Sequence, residues 1–144
     1  PMRGEVDPRP AFDVLRGRGA TLALPRMDWG ADALALHAHE PEIGLEESGM
    51  GFLQPPADAP RVAPAAVDVV LVPAVAADDR GYRIGLGKGF YDRLLPTLER
   101  AFSVALLFDF QLVAEVPEEP HDAPVEHVVT DRRDYAAAAG PGTG

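Results

Sequence analysis

The residues best suited to chemistry lie between Gly81 and Arg93, in the run Gly-Tyr-Arg-Ile-Gly-Leu-Gly-Lys-Gly-Phe-Tyr-Asp-Arg. Glycines at 81, 85, 87 and 89 permit positive φ and close approach of the backbone to a ligand. Successive backbone N–H groups in such a loop form a concave nest for anions, and a helix beginning at its end adds partial positive charge. Lys88 is the one lysine among 13 basic residues, the rest being arginine. A compact, flexible ammonium at that point suits contact with a transferring phosphoryl group better than a fixed guanidinium fork. The same glycines would also serve a plain tight connection. Neither a Walker A pattern nor a dinucleotide fingerprint is present, because Gly89 follows Lys88 and Phe90 stands where a third spaced glycine is needed.

Asp92 lies one turn beyond Lys88. A carboxylate there either holds Mg²⁺ against bound phosphates or simply complements the positive end of a helix. The stretch Pro117-Glu-Glu-Pro-His-Asp122 is a second acidic cluster, fit for a surface turn or for completing a magnesium site of one or two carboxylates. His37 and His39 share a strand face at period two, and with no third ligand at suitable spacing they read as surface histidines ahead of a metal pair. Nucleophilic hydrolysis finds little support: Ser48 and Ser103 are the only serines, and neither sits in a nucleophile elbow.

The elements that must position these groups follow from the apolar pattern. A short helix is expected over Arg9 to Arg16, a buried strand over Ala20 to Leu24 ended by Pro25, and an edge strand over Asp32 to His39. Glu40 to Pro64, rich in proline and glycine, reads as a long loop. Val67 to Val75 reads as a strand buried on both faces that feeds the glycine loop. A helix from Gly89 to about Arg100, disturbed by Pro96, is expected next. After it come a strand over Ser103 to Phe108, a short helix over Gln111 to Val116 and a final strand over His127 to Thr130. The alternation predicts an α/β domain with a mainly parallel sheet over residues 1–135 and a disordered tail over 136–144. Ligands in such sheets sit at the carboxyl ends of strands, where the glycine loop falls.

Composition narrows the function classes. A hydrophobic share of 47% in 144 residues supports one domain with a real core. A formal net charge of −10 argues against nucleic-acid and anionic-membrane binding. Arg80 to Arg93 reverses that sign locally, which favours a small polyanion. The absence of cysteine excludes disulfides and thiolate chemistry and fits a reducing cytoplasm. No apolar run is long enough to span a bilayer.

Taken together, Val69-Val-Leu-Val-Pro-Ala-Val, the Gly81–Arg93 run, Phe108-Asp-Phe-Gln-Leu-Val, Pro120-His-Asp and His127-Val-Val-Thr-Asp resemble the 5-formyltetrahydrofolate cyclo-ligase family. Gly4-Glu-Val-Asp, Leu22-Ala-Leu-Pro-Arg and Gly51-Phe-Leu-Gln-Pro extend the resemblance to nearly the whole chain. It implies a three-layer Rossmann-like fold of the NagB/RpiA/CoA-transferase-like type. It also implies a monomeric cytoplasmic enzyme that uses ATP and Mg²⁺ to close 5-formyltetrahydrofolate to 5,10-methenyltetrahydrofolate. By resemblance, Arg83, Ile84, Gly85, Leu86, Gly87, Lys88, Gly89, Phe90 and Tyr91 would bind ATP, with Lys88 and Tyr91 catalytic. Asp92 and Asp122 would hold Mg²⁺; Glu5, Met50 and Phe90 would meet the folate. The basic helix and first strand with which that family begins have no counterpart before Gly4, so a truncated chain is expected. A catalytically silent nucleotide- or folate-binding paralogue, an inactive fragment, and a sugar-phosphate enzyme of related architecture are the alternatives.

Overall fold

The structure, a computed structural model, describes residues 5–85, 89–120 and 122–138. Helix α1 (Pro10–Gly17) has proline in its first turn, where a missing N–H costs nothing, and ends at Gly19 with φ of 87°. Strand β1 (Ala23–Asp28) pairs antiparallel with β2 (Ala33–Ala38). Pro25 was expected to end β1 but lies inside it, opposite Leu36. The ladder explains this. His39 N–H bonds Leu22 O, and alternation then turns the Pro25 nitrogen away from β2, to the side where Met27 N–H bonds Gln54 Oε1 at 3.0 Å.

The expected loop over 40–64 contains a small hairpin, β3 (Glu46–Glu47) with β4 (Leu53–Gln54), turned at Gly49 and Gly51, both at positive φ. Its far end runs along β2, with Ala38 N–H to Pro60 O and Val62 N–H to Leu36 O.

The main sheet is built from β5 (Val69–Pro73), β8 (Phe102–Leu106), β9 (His127–Val129) and β10 (Asp134–Ala136) in the order β10-β9-β8-β5. Strands β5, β8 and β9 are parallel, and β10 is antiparallel to β9. Between β5 and β8 the chain forms the hairpin β6 (Ala76–Ala77) with β7 (Arg83–Ile84), then helix α2 (Phe90–Leu94). The core gathers Val72, Ala74, Ala105, Leu107, Val125 and Val128, with Tyr91 and Leu95 against it.

Four expectations are corrected. Strand β5 is buried on one face only, with Val72 fully buried while Val69 is 57% exposed. Helix α2 stops after five residues in a 3-10 turn (Leu95–Thr97), because Pro96 has no N–H to bond back and crowds the carbonyl of Asp92. The predicted helix over Gln111 to Val116 is a 3-10 turn at Asp109–Gln111 followed by extended chain. Strand β9 is not the last: Ala136, assigned to a tail, pairs with His127 in β10, and Ala137 and Ala138 N–H groups bond Glu126 O and Asp79 O. Among the described residues no helix is long and apolar enough to cross a membrane.

Candidate functional site

Where β5 reaches its carboxyl end, Val75 N–H bonds Ile84 O at 2.8 Å, which swings the β6–β7 hairpin over the end of the sheet. The hairpin turn requires Gly81. Its φ is 86°, and a Cβ there would strike Val125 O and come within 2.8 Å of Ala137 Cβ. Of the loop glycines, Gly89 also has positive φ, 76°, as it caps α2. Leu86, Gly87 and Lys88 lie outside the described residues, so the placement of the expected catalytic lysine is not part of this geometry.

Arg83 is the centre of the site. Its side chain is 5% exposed, and its Nε and Nη2 have no hydrogen-bond partner among the described residues. Asp92 Oδ1 stands 3.6 Å from Nη2, beyond hydrogen-bond reach, and the guanidinium lies 5.5 Å from the Tyr91 ring centroid. Burial pushes the Arg83 guanidinium below its ordinary value, opposed by the charges of Asp92, Tyr91, Asp122 and Glu5. Five residues from four separate stretches of sequence therefore share one electrostatic neighbourhood. Burial, with the charge of Glu5, lifts the Tyr91 phenol to about 12, so it stays protonated at neutral pH.

Asp92 Oδ1 accepts the N–H of Ala123 at 3.3 Å, which draws the Asp122 segment to the start of α2. Asp122 Oδ2 accepts the N–H of Glu119 at 2.8 Å. Among the described residues no three His, Asp or Glu side chains form a metal-binding group. A cation held by Asp92 and Asp122 would take its remaining ligands from phosphate and water, as Mg²⁺ commonly does.

The other predicted residues are more scattered. Phe90 is buried. It lines a groove of about 450 Å³ with Leu34, Leu36, Val62 and Leu94, and the Arg93 guanidinium stacks 4.9 Å from its ring. Ile84 is 44% exposed and Gly85 is exposed, at the mouth of the loop. Met50 sits in the β3–β4 turn with its N–H on Ser48 Oγ, and no described contact joins it to the Arg83 group. His37, read as a surface residue, is buried with Nδ1 2.8 Å from Ala59 O. Helix α2, with Asp92 in its first turn, is five residues long. Asp78, which no motif singled out, is completely buried beneath the hairpin turn. Its only sequence signal is the turn-forming Asp-Asp-Arg-Gly run that begins with it.

The family model of the 5-formyltetrahydrofolate cyclo-ligase family matches residues 1–131. The 5-formyltetrahydrofolate cyclo-ligase of Mycolicibacterium smegmatis is 37% identical over 134 residues, covering 92% of this chain and 65% of the relative. That of Escherichia coli K12 is 34% identical over 131 residues, covering 88% of this chain and 72% of the relative. The solution structure of the Aquifex aeolicus 5,10-methenyltetrahydrofolate synthetase superposes with a TM-score of 0.77 at 32% identity, over 100% of this chain and 72% of its own. The chain thus spans about two thirds of the length of these relatives.

Proposed function

This chain belongs to the 5-formyltetrahydrofolate cyclo-ligase family, and from that premise we propose that it closes 5-formyltetrahydrofolate to 5,10-methenyltetrahydrofolate, with ATP as phosphoryl donor and Mg²⁺ as its partner ion. The observation that carries the reading is Arg83. A guanidinium that is buried with Nε and Nη2 unsatisfied is costly, and phosphate oxygens are the acceptors its planar fork matches best.

The chemistry asks for such a site. A formyl amide oxygen is a poor leaving group. Transfer of the γ-phosphoryl group to it, with ADP released, makes the formyl carbon electrophilic. N10 then attacks that carbon and loses its proton, and the oxygen departs as phosphate. Such transfer depends on positioning and charge neutralisation more than on covalent help from the protein. Arg83 and Lys88 would bind phosphate oxygens, within a cradle running from Arg83 through Ile84, Gly85, Leu86, Gly87 and Gly89 to Tyr91. Tyr91, protonated at working pH, would donate a hydrogen bond to the reacting oxygen. Asp92 and Asp122 would hold Mg²⁺, which when bound neutralises phosphate charge. Glu5, beside Tyr91, would bond the pterin, with Phe90 and Met50 lining the folate pocket.

The same reading takes the whole protein as a cytoplasmic monomer, one α/β domain over residues 1–135, with a three-layer fold of the NagB/RpiA/CoA-transferase-like type. Support for the third layer is the apolar outer face of the sheet, where Val69, Leu71 and Phe102 stand 57%, 41% and 46% exposed.

The test is to mix the chain with 5-formyltetrahydrofolate and Mg²⁺ and follow the near-ultraviolet band of the methenyl product. Growth of that band only when ATP is added is the expected result. Binding of both ligands without turnover would transfer the assignment to a silent binding paralogue.

A further inference from the structure

We propose that Asp78, Arg80 and Glu118 are positioning residues, a brace that fastens the segment carrying Asp122 to the hairpin carrying Arg83 and so sets the spacing of the cation-binding and anion-binding halves of the site. The role assigned to that spacing rests on the nucleotide reading above.

Asp78 has no exposed surface, and its carboxylate is fully used. Oδ1 accepts the N–H groups of Arg80 at 2.9 Å and Tyr82 at 3.2 Å, which shapes the turn before Arg83. Oδ2 accepts the N–H of Val116, 38 residues away, at 2.8 Å, and Arg80 Nη2 at 2.7 Å. The Arg80 guanidinium then reaches the same distant segment. It donates from Nη1 and Nη2 to Glu118 Oε1 and Oε2 at 2.8 and 2.9 Å, and from Nη2 to Val116 O at 2.9 Å, with its plane 4.7 Å from the Tyr82 ring. At the other end of the segment, Val125 N–H bonds Gly81 O at 2.9 Å. Residues 117–120 and 122–124 are therefore tied at both ends to one turn, and Asp122 lies among them.

This arrangement does more than close a turn. Backbone N–H groups alone would satisfy Asp78, and a buried ion pair is in general no better for stability than apolar residues of the same size. What the pair supplies is a fixed register between two segments remote in sequence. Outer residues that orient metal-binding side chains commonly carry a large share of metal affinity without touching the ion.

The experiment uses Arg80→Ala, Glu118→Ala and the double variant, with ATP binding followed by calorimetry at graded Mg²⁺. Thermal midpoint and amide hydrogen exchange are measured alongside. Arg80→Ala should raise the Mg²⁺ concentration that half-saturates ATP binding by roughly tenfold. Metal-free ATP affinity should stay close to that of the parent. Glu118→Ala, at the exposed end of the brace, should act in the same direction without loss of fold, and the double variant should be no worse than Arg80→Ala because the two act as one unit. Amides of 117–124 should exchange faster while those of β8 do not. An unchanged Mg²⁺ requirement with a lowered thermal midpoint would reduce the three residues to a structural role and overturn the proposal, as would additive effects in the double variant. Should the parent bind no ATP at any Mg²⁺ concentration, the nucleotide reading falls, and the exchange data decide the brace alone: protection of 117–124 lost in Arg80→Ala supports it, and protection kept contradicts it.

Discussion

Arg83 and Tyr91 show how burial decides what a side chain is for. A buried cation with unsatisfied donors burdens the empty protein, so Arg83→Met should stabilise the ligand-free fold by about 1 kcal/mol. The same change should weaken ATP binding by roughly a hundredfold, the worth of two charge-assisted hydrogen bonds. Thermal melting with and without ATP checks both halves, and equal losses in each would contradict the ligand role. Tyr91 leads to a pH prediction. Its phenol, raised from 10.0 to about 12 by burial and Glu5, is stabilised in the neutral form. That contribution is complete below pH 10 and is lost as pH rises towards 12. Turnover should therefore show no phenol ionisation below about pH 11, and Tyr91→Phe should lower turnover without changing the alkaline limb. Both residues stand in a run whose glycines and charges are plain in the sequence. The burial of Tyr91 is not, because it packs against a core that Val72 and Ala105 bring in from other strands.

At the scale of elements, the parallel strands were legible because β5 is a continuous apolar run and β8 and β9 are mostly apolar, broken only by Ser103 and His127, and α1 because proline opens it and glycine closes it. The pieces that escaped are those too short to have a period. β3, β4 and β10 contain two or three residues each, and only their partners make them strands. The lone proline rule failed once and held once. Pro25 is accepted in β1 because its nitrogen faces away from the ladder, whereas Pro96 ends α2 because every helix interior needs that N–H. Arg80 and Glu118 could not be paired from sequence, since 38 residues separate them. The hairpin itself is testable through Gly81. Gly81→Ala should cost about 1–3 kcal/mol from backbone strain alone, with more from the collision with Val125 O, and should loosen the Asp122 loop with it. Denaturant unfolding measures the first effect and amide exchange in 117–124 the second.

Across the whole molecule, an acidic chain of net charge −10 keeps its stability by committing carboxylates to specific partners. Hydrogen bonds from Arg133 hold Asp109 below its ordinary value, and those from Arg80 do the same for Glu118. Burial alone would raise Asp78, but the Val116 N–H and Arg80 outweigh it and hold it low as well. Depressed values contribute stability above the unfolded-state values of 3.8 and 4.5, and that contribution is lost as pH falls through the folded ones. The thermal midpoint should therefore fall steadily below about pH 4.5, and less steeply in Asp78→Asn. The assignment of function joins that fold to one reaction, and its most direct test is the fate of the formyl oxygen. With 5-formyltetrahydrofolate labelled there with oxygen-18, turnover in the presence of ATP and Mg²⁺ should place the label in the released phosphate. Label appearing in water, with unlabelled phosphate, would contradict phosphorylation of the formyl oxygen and the account built on it.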